Sequence, residues 1–277
     1  TGNISVEQVN FNSTTATIAP VTLSDLTTTQ NGDIKLQLTA GSVTLNDGAD
    51  ADDVTVSAGG SGNVLIQTIA ANGDIIVNGN NDAANISSGT GHITLNAGDD
   101  IDLKSNIATT GSGTVYLLAG NRNADGISGI DMQSGTSITT AGGNVRLTVD
   151  NEGDILLGLV DAGAGDVGLI AERSILDNNG AARNVRADAL LMVADAQVNV
   201  DGSIAALTGN SNGLIGQSDT GNGTPAANVN ALNILVNTLA AQSAGGIHIL
   251  AENSLTVAFT GNISVEQVNF NSTTATI

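Results

Sequence analysis

Four aspartates fall within seven residues: Asp47, Asp50, Asp52 and Asp53, in the stretch NDGADADD. Oxygen-rich loops hold Ca²⁺ through six to eight oxygen ligands, so these four are the candidate calcium ligands of the chain. Their spacing departs from that of an EF-hand loop and from the glycine-rich nonapeptide of calcium-binding β-rolls. The plainer reading is a solvated acidic corner. A second group, Asp99, Asp100 and Asp102, alternates with Ile101 and Leu103. In a strand that alternation puts Asp100 and Asp102 on the face opposite the two apolar residues. Asp125 and Asp131 flank an irregular stretch and make a weaker candidate.

No catalytic or cofactor-binding set emerges. A β-helical polysaccharide lyase or hydrolase gathers acid and base groups in a cleft. Here Lys35, Lys104, His92, His248 and Tyr116 are spread widely, with five arginines. The many glycines precede apolar strand-like residues rather than helices, and no GxxxxGK[ST] occurs, so they are not phosphate loops. The threonine clusters Thr27–Thr29 and Thr139–Thr140 lack the regular phase that an ice-binding ladder requires. The expectation is a protein that is not an enzyme.

The elements that must position these residues are short and repetitive. Glycine, a small polar residue, Ile or Val, any residue, then Leu, Val or Ile recurs along the chain, as in Gly32–Leu36, Gly73–Val77, Gly91–Leu95, Gly113–Leu117 and Gly143–Leu147. Apolar residues at i and i+2 mark a strand with one buried face, and the preceding Gly with Asn or Asp supplies a corner. Ile34, Val54, Ile75, Ile93 and Val115 recur at intervals near 20 residues. That spacing predicts an all-β, right-handed parallel β-helix with coils of about 20 residues, about 13 coils in all. Tandem β-sandwich repeats are the alternative fold. The β-helix register points Ile34, Leu36, Val54, Val56, Ile75, Val77, Ile93, Leu95, Val115 and Leu117 inward, and Lys35, Thr55, Thr94 and Tyr116 outward. Stretches 119–129, 177–184 and 209–228 break the pattern and read as loops leaving the stack. Residues 181–193 are the one run that could be read as a helix as well as strands.

Composition agrees. The apolar residues are almost all aliphatic, with three Phe, one Tyr and no Trp, as stacked aliphatic ladders allow. Seven basic against 27 acidic residues give a net charge of −20, which repels nucleic acid and anionic membrane surfaces. There is no cysteine, hence no disulfide and no thiolate metal site. No run approaches the roughly 20 apolar residues of a membrane-spanning helix, and the opening residues do not read as a signal peptide.

The opening TGNISVEQVNFNSTTATI, residues 1–18, returns letter for letter at residues 260–277. The chain therefore reads as one repeat unit, residues 1–259, followed by the start of the next identical unit, residues 260–277. No cap is visible at either end. The expectation is a seamless joint, with Ile263 and Val265 continuing the stack left by Leu255 and Val257, and with the two copies in equivalent environments.

The glycine-led units, as in Gly73–Val77 and Gly143–Leu147, resemble the repeats of filamentous haemagglutinin and related large bacterial surface proteins. That resemblance implies a secreted β-helical stalk that projects binding regions from the cell. The functional expectation is a structural repeat of an extracellular or cell-surface fibre, stalk or sheath, with copies of itself as head-to-tail partners. An adhesive module that binds a glycan or protein receptor on a host or neighbouring cell through inserted loops is the alternative.

Overall fold

A computed structural model describes residues 4–9, 11, 15–21, 25–47, 54–79, 84–120, 129–199, 201–206, 212–218, 230–261 and 263–277. Among these residues there is no helix. The chain winds through three parallel sheets of nine, eight and nine strands. The first sheet runs from Ile34–Leu38 to Thr256–Val257, the second from Val43–Leu45 to Gly246–Ile247, and the third from Leu26–Thr28 to Ile249–Ala251. Each strand pairs in register with its counterparts one coil below and one coil above. This is a parallel β-helix, and the sandwich alternative does not describe it.

Equivalent residues stack in columns. In the first sheet one inward column is Ile34, Val64, Ile93, Val115, Val145, Val167, Leu190, Leu239 and Val257. All but the last belong to one continuous aliphatic core that all three sheets face. Full burial of such a side chain is worth about 1.5–3 kcal/mol relative to exposure, so this column carries much of the stability.

The coil length differs from the 20 residues expected. Successive residues of that column are separated by 30, 29, 22, 30, 22, 23, 49 and 18 positions, so the described residues form nine coils rather than about 13. Ile34, Val54, Ile75, Ile93 and Val115 do not share one phase. Ile34, Ile93 and Val115 lie in the first sheet, Ile75 in the second, and Val54 just ahead of a third-sheet strand, Val56–Ala58. In that strand Val56 and Ala58 are the buried pair, Val54 is half-buried, and Thr55 is buried rather than outward. The other residues expected inward are buried, with Leu36 partly so and packed on the core. Residues 181–193 contribute two strands, Val185–Arg186 and Ala189–Ala194.

Why the motif begins with glycine and a small polar residue is visible at the corners. Gly32, Gly62, Gly91, Gly113, Gly143 and Gly165 lie one above the other where the chain enters the first sheet. A Cβ on Gly165 would stand 2.6 Å from the Gly143 carbonyl oxygen, and a Cβ on Gly91 or Gly113 would overlap the carbonyl oxygen of the coil below. The next residue in each coil caps the coil above. Asn63 donates its N–H to the Asp33 carboxylate at 2.9 Å, His92 to the Asn63 side-chain oxygen at 2.8 Å, and Asp166 to that of Asn144 at 2.9 Å. The second and third corners repeat the device, with Ser174 on Asp154 at 2.8 Å and Ser137 on Asn106 at 2.7 Å.

Among the described residues three antiparallel hairpins depart from the helix: Ile4–Val9 with Thr15–Val21, Gln197–Val198 with Ile204–Ala206, and Glu266–Val268 with Thr274–Thr276. The first and third are the two copies of the repeated stretch. Glu7, Gln8 and Val9 face Thr17, Ala16 and Thr15, and Glu266, Gln267 and Val268 face Thr276, Ala275 and Thr274. The two registers are identical. Neither copy is a coil of the helix, which overturns the expected seamless joint: the first sheet ends at Thr256–Val257, and the chain then turns back.

Candidate functional site

Two surfaces concentrate chemistry. The first is the corner where the chain enters the second sheet. Ser42, Asp74, Asp100, Gly129, Asp154 and Ser174 stack there, because each precedes one residue of the column Val43, Ile75, Ile101, Ile130, Ile155 and Ile175. Carboxylate oxygens of Asp74, Asp99 and Asp100 all lie within 4.8 Å of one another. Asp74 is fixed by Ser42, whose hydroxyl donates to its carboxylate at 3.1 Å and accepts its backbone N–H at 3.0 Å. Burial, reinforced first by the Asp99 charge and then by Asp74 and Asp102, pushes the Asp100 carboxyl up to about 6, against the opposing N–H of Gly129. Three converging carboxylates can hold a cation, yet they number fewer than the oxygens of a calcium cage.

Beside this corner Asp102 and Asp131 pair across adjacent strands on the outward face. Burial and the Asp102 charge raise the Asp131 carboxyl. The alternation of Asp100 and Asp102 with Ile101 and Leu103 is as the sequence implied: both apolar residues are fully buried. Asp74 was not singled out by its spacing, because it lies 25 residues before Asp99 and is one more Gly-Asp-Ile corner. Of the four aspartates in NDGADADD, Asp47 is half-buried. Asp50, Asp52 and Asp53, like Asp125, lie outside the described residues.

The second surface is the outer face of the first sheet. Its outward rows read Lys35, Leu65, Thr94, Tyr116, Arg146, Gly168 and Leu191, and Gln37, Gln67, Asn96, Leu118, Thr148, Ile170 and Val193. Thr94 and Tyr116 do point away from the helix interior, yet both are fully buried, as are Leu118 and Thr148. The second copy of the repeated stretch covers Thr94, Tyr116 and Leu118. It crosses the strands nearly coil by coil. Ile263 lies over Gly168, the Asn144 amide donates to the Ser264 carbonyl at 2.9 Å, Glu266 N–H donates to the Thr114 hydroxyl at 3.0 Å, Val268 N–H to that of Thr94 at 2.9 Å, and Lys35 Nζ to Ser272 Oγ at 2.7 Å. Val265 packs with Tyr116 and Leu118. The strap thus spans the sheet from its sixth strand to its first.

The hairpin at Gln197–Ala206 covers the upper part of the same face. Ile170, Val193, Ala196 and Val198 form a small core of their own, with Leu191 and Ile204 against it. The buried Arg146 ties this hairpin to the sheet: its Nη2 donates to the Gly202 carbonyl at 2.6 Å and its Nε to Thr148 at 3.2 Å. Burial lowers the Arg146 pKa, opposed by Tyr116 and Asp201. The Tyr116 hydroxyl sits against Gly202 and makes no hydrogen bond of normal geometry among the described residues; burial pushes its pKa up to about 12, opposed by Arg146 and Thr148.

His92 and His248 serve the scaffold. His92 takes the corner position of Asn or Asp, accepting the Thr114 N–H at Nδ1 at 3.1 Å. Burial lowers its pKa, opposed by Glu266. His248 lies between second- and third-sheet strands, its N–H on the Ile215 carbonyl at 2.7 Å. Of the irregular stretches, 121–128, 207–211 and 219–229 lie outside the described residues. The 177–184 turn is stacked on the helix by Asn178, which donates to the Met132 carbonyl at 2.8 Å, and by Asn179, which accepts the Gly135 N–H at 3.1 Å.

No protein-family model, no curated protein and no solved structure matches this chain.

Proposed function

We propose that the chain is a structural repeat of an extracellular bacterial fibre, stalk or sheath, joined head to tail with identical units. The observation that carries this reading is the exposure of apolar residues on the terminal strands among the described residues. Ile247 and Val257, on the last strands of the second and first sheets, are 46% and 78% exposed, and Leu26 on the first strand of the third sheet is 42% exposed. Open strand edges with apolar ladders pair with another chain unless something covers them, and an identical unit presents the matching edge. The net charge of −20 keeps such a polymer soluble. The joint proposed here differs from a continuous coil: residues 260–277, the opening of the next unit, fasten down the side of the unit before them, and the next stack begins after them.

Length measurements on polypeptides of one, two and four units test this reading. Nine coils at about 4.8 Å each add about 43 Å per unit along a straight rod. Particles that grow as flexible beads, or that widen rather than lengthen, would contradict it.

A further inference from the structure

The outer face of the first sheet is seen with an occupant, and that occupant exists twice in the chain. We infer that this face is a docking site for the TGNISVEQVNFNSTTATI hairpin of a second copy of the protein, supplied by its residues 1–18. The inference rests on sequence identity and on the seated hairpin, and is independent of where the protein works or whether its ends stack.

Three observations carry it. Residues 1–18 are identical to residues 260–277, so every side chain that fits the face in one copy is present in the other. Residues of the first copy pair in the same antiparallel register as those of the second. Phe11 of the first copy is 109% exposed, against 54% for its counterpart Phe270, so the equivalent position is exposed in both and more so in the first.

The same geometry excludes the first copy from the face of its own chain. Docked in the observed pose, it would place Ile4 where Ile263 lies, over Gly168 in the sixth strand of the sheet. Val21 pairs with Ile4 and would stand at the same level. Leu26 belongs to the first coil, five inter-strand spacings away, or about 24 Å. The five residues from Val21 to Leu26 reach about 17 Å fully extended. A second molecule has no such limit. In an intact chain the tethered residues 260–277 hold the face through their high effective concentration. Once they are displaced, each molecule offers one opening hairpin and one empty face, a heterologous pair that builds open chains.

The test uses the full 277-residue chain. Val265→Asp with Val268→Asp replaces two residues that are 1% and 2% exposed in the seated hairpin and leaves residues 1–18 intact. Sedimentation velocity should show the 27.4 kDa monomer giving way to concentration-dependent dimers and longer species, with the far-UV circular dichroism of the helix retained. Adding Val6→Asp and Val9→Asp should restore the monomer, and free TGNISVEQVNFNSTTATI peptide should dissolve the oligomers. The absence of native cysteine allows a direct placement: with Lys35→Cys and Ser13→Cys in the same displaced background, a short bismaleimide should yield covalent dimers. A monomer throughout, a link formed within one chain, or oligomers that survive the Val6 and Val9 replacements would each overturn the inference.

Discussion

Val268 donates its backbone N–H to the hydroxyl of Thr94 at 2.9 Å, although the two lie 174 positions apart. The bond is buried, and it joins a strand that has left the helix to the outer face of a coil laid down much earlier. Thr94→Val keeps the shape and removes the acceptor, leaving a buried donor unpaired at a cost of about 1–3 kcal/mol. Hydrogen exchange at Val268 should accelerate in this variant while amides of the inner columns, such as Leu95, keep their protection. Unchanged exchange at Val268 would mean that the strap is held elsewhere.

Tyr116 makes the opposite case. Its ring packs with Val265, while its hydroxyl makes no hydrogen bond of normal geometry among the described residues. Tyr116→Phe removes a desolvated polar group and keeps the packing, so urea unfolding should give a stability equal to or above that of the parent. Tyr116→Ala should cost about 3–5 kcal/mol, as aromatic truncations in cores do.

The glycine column makes a steric prediction. A methyl group on Gly113 would overlap the Gly91 carbonyl oxygen, and the coils cannot separate without losing ladder hydrogen bonds. Gly113→Ala should destabilise by about 1–3 kcal/mol or more, whereas Ser61→Ala, on an exposed turn of the same corner, should stay within about 0.5 kcal/mol. Equal midpoints for the two variants would place the coils further apart than described.

The acidic corner sets a pH dependence. Asp100 titrates near 6 in the folded chain against an ordinary value of 3.8, so between these values the folded state binds more protons than the unfolded state. Stability from this group therefore rises as pH falls from about 6 toward 3.8 and is lost as pH climbs through that window. Asp150, which burial also pushes up to about 6, acts in the same direction. His92, whose pKa burial lowers, acts in the opposite direction as pH falls through 6.5. Lowering the pH from 7.5 to 5 should therefore change the melting temperature more favourably in the parent than in Asp100→Asn. A difference unaffected by that replacement would place its origin in other carboxylates.

The parallel helix was legible because its corners demand particular residues. Only glycine tolerates the carbonyl of the coil below, and a short acceptor side chain must follow to receive the N–H of the coil above. That same requirement hid the coil length. The acceptor side chain recurs at all three corners and the glycine also at part of the second, so Gly32-Asp33-Ile34 and Gly73-Asp74-Ile75 look alike although they open different sheets. The fold-back was hidden for the same reason, since Gly261-Asn262-Ile263-Ser264-Val265 reads as another coil. A signal for it did exist. Leu65, Leu118, Ile170 and Val193 are apolar at outward positions of the first sheet, and such a face requires a cover. The acidic corner was half legible: Asp99 and Asp100 are adjacent in sequence, while Asp74 arrives only through the stacking of coils.

The account depends most on where residues 260–277 lie. Lys35→Cys with Ser272→Cys, in a chain that otherwise contains no cysteine, measures this directly with a short bismaleimide linker. The strap puts these positions in contact, Lys35 Nζ to Ser272 Oγ at 2.7 Å, and predicts nearly complete cross-linking within single molecules, independent of protein concentration. If residues 260–277 instead continued the stack beyond Val257, position 272 would lie at least eight inter-strand spacings, or about 38 Å, from position 35. The absence of an intramolecular link would then contradict the account.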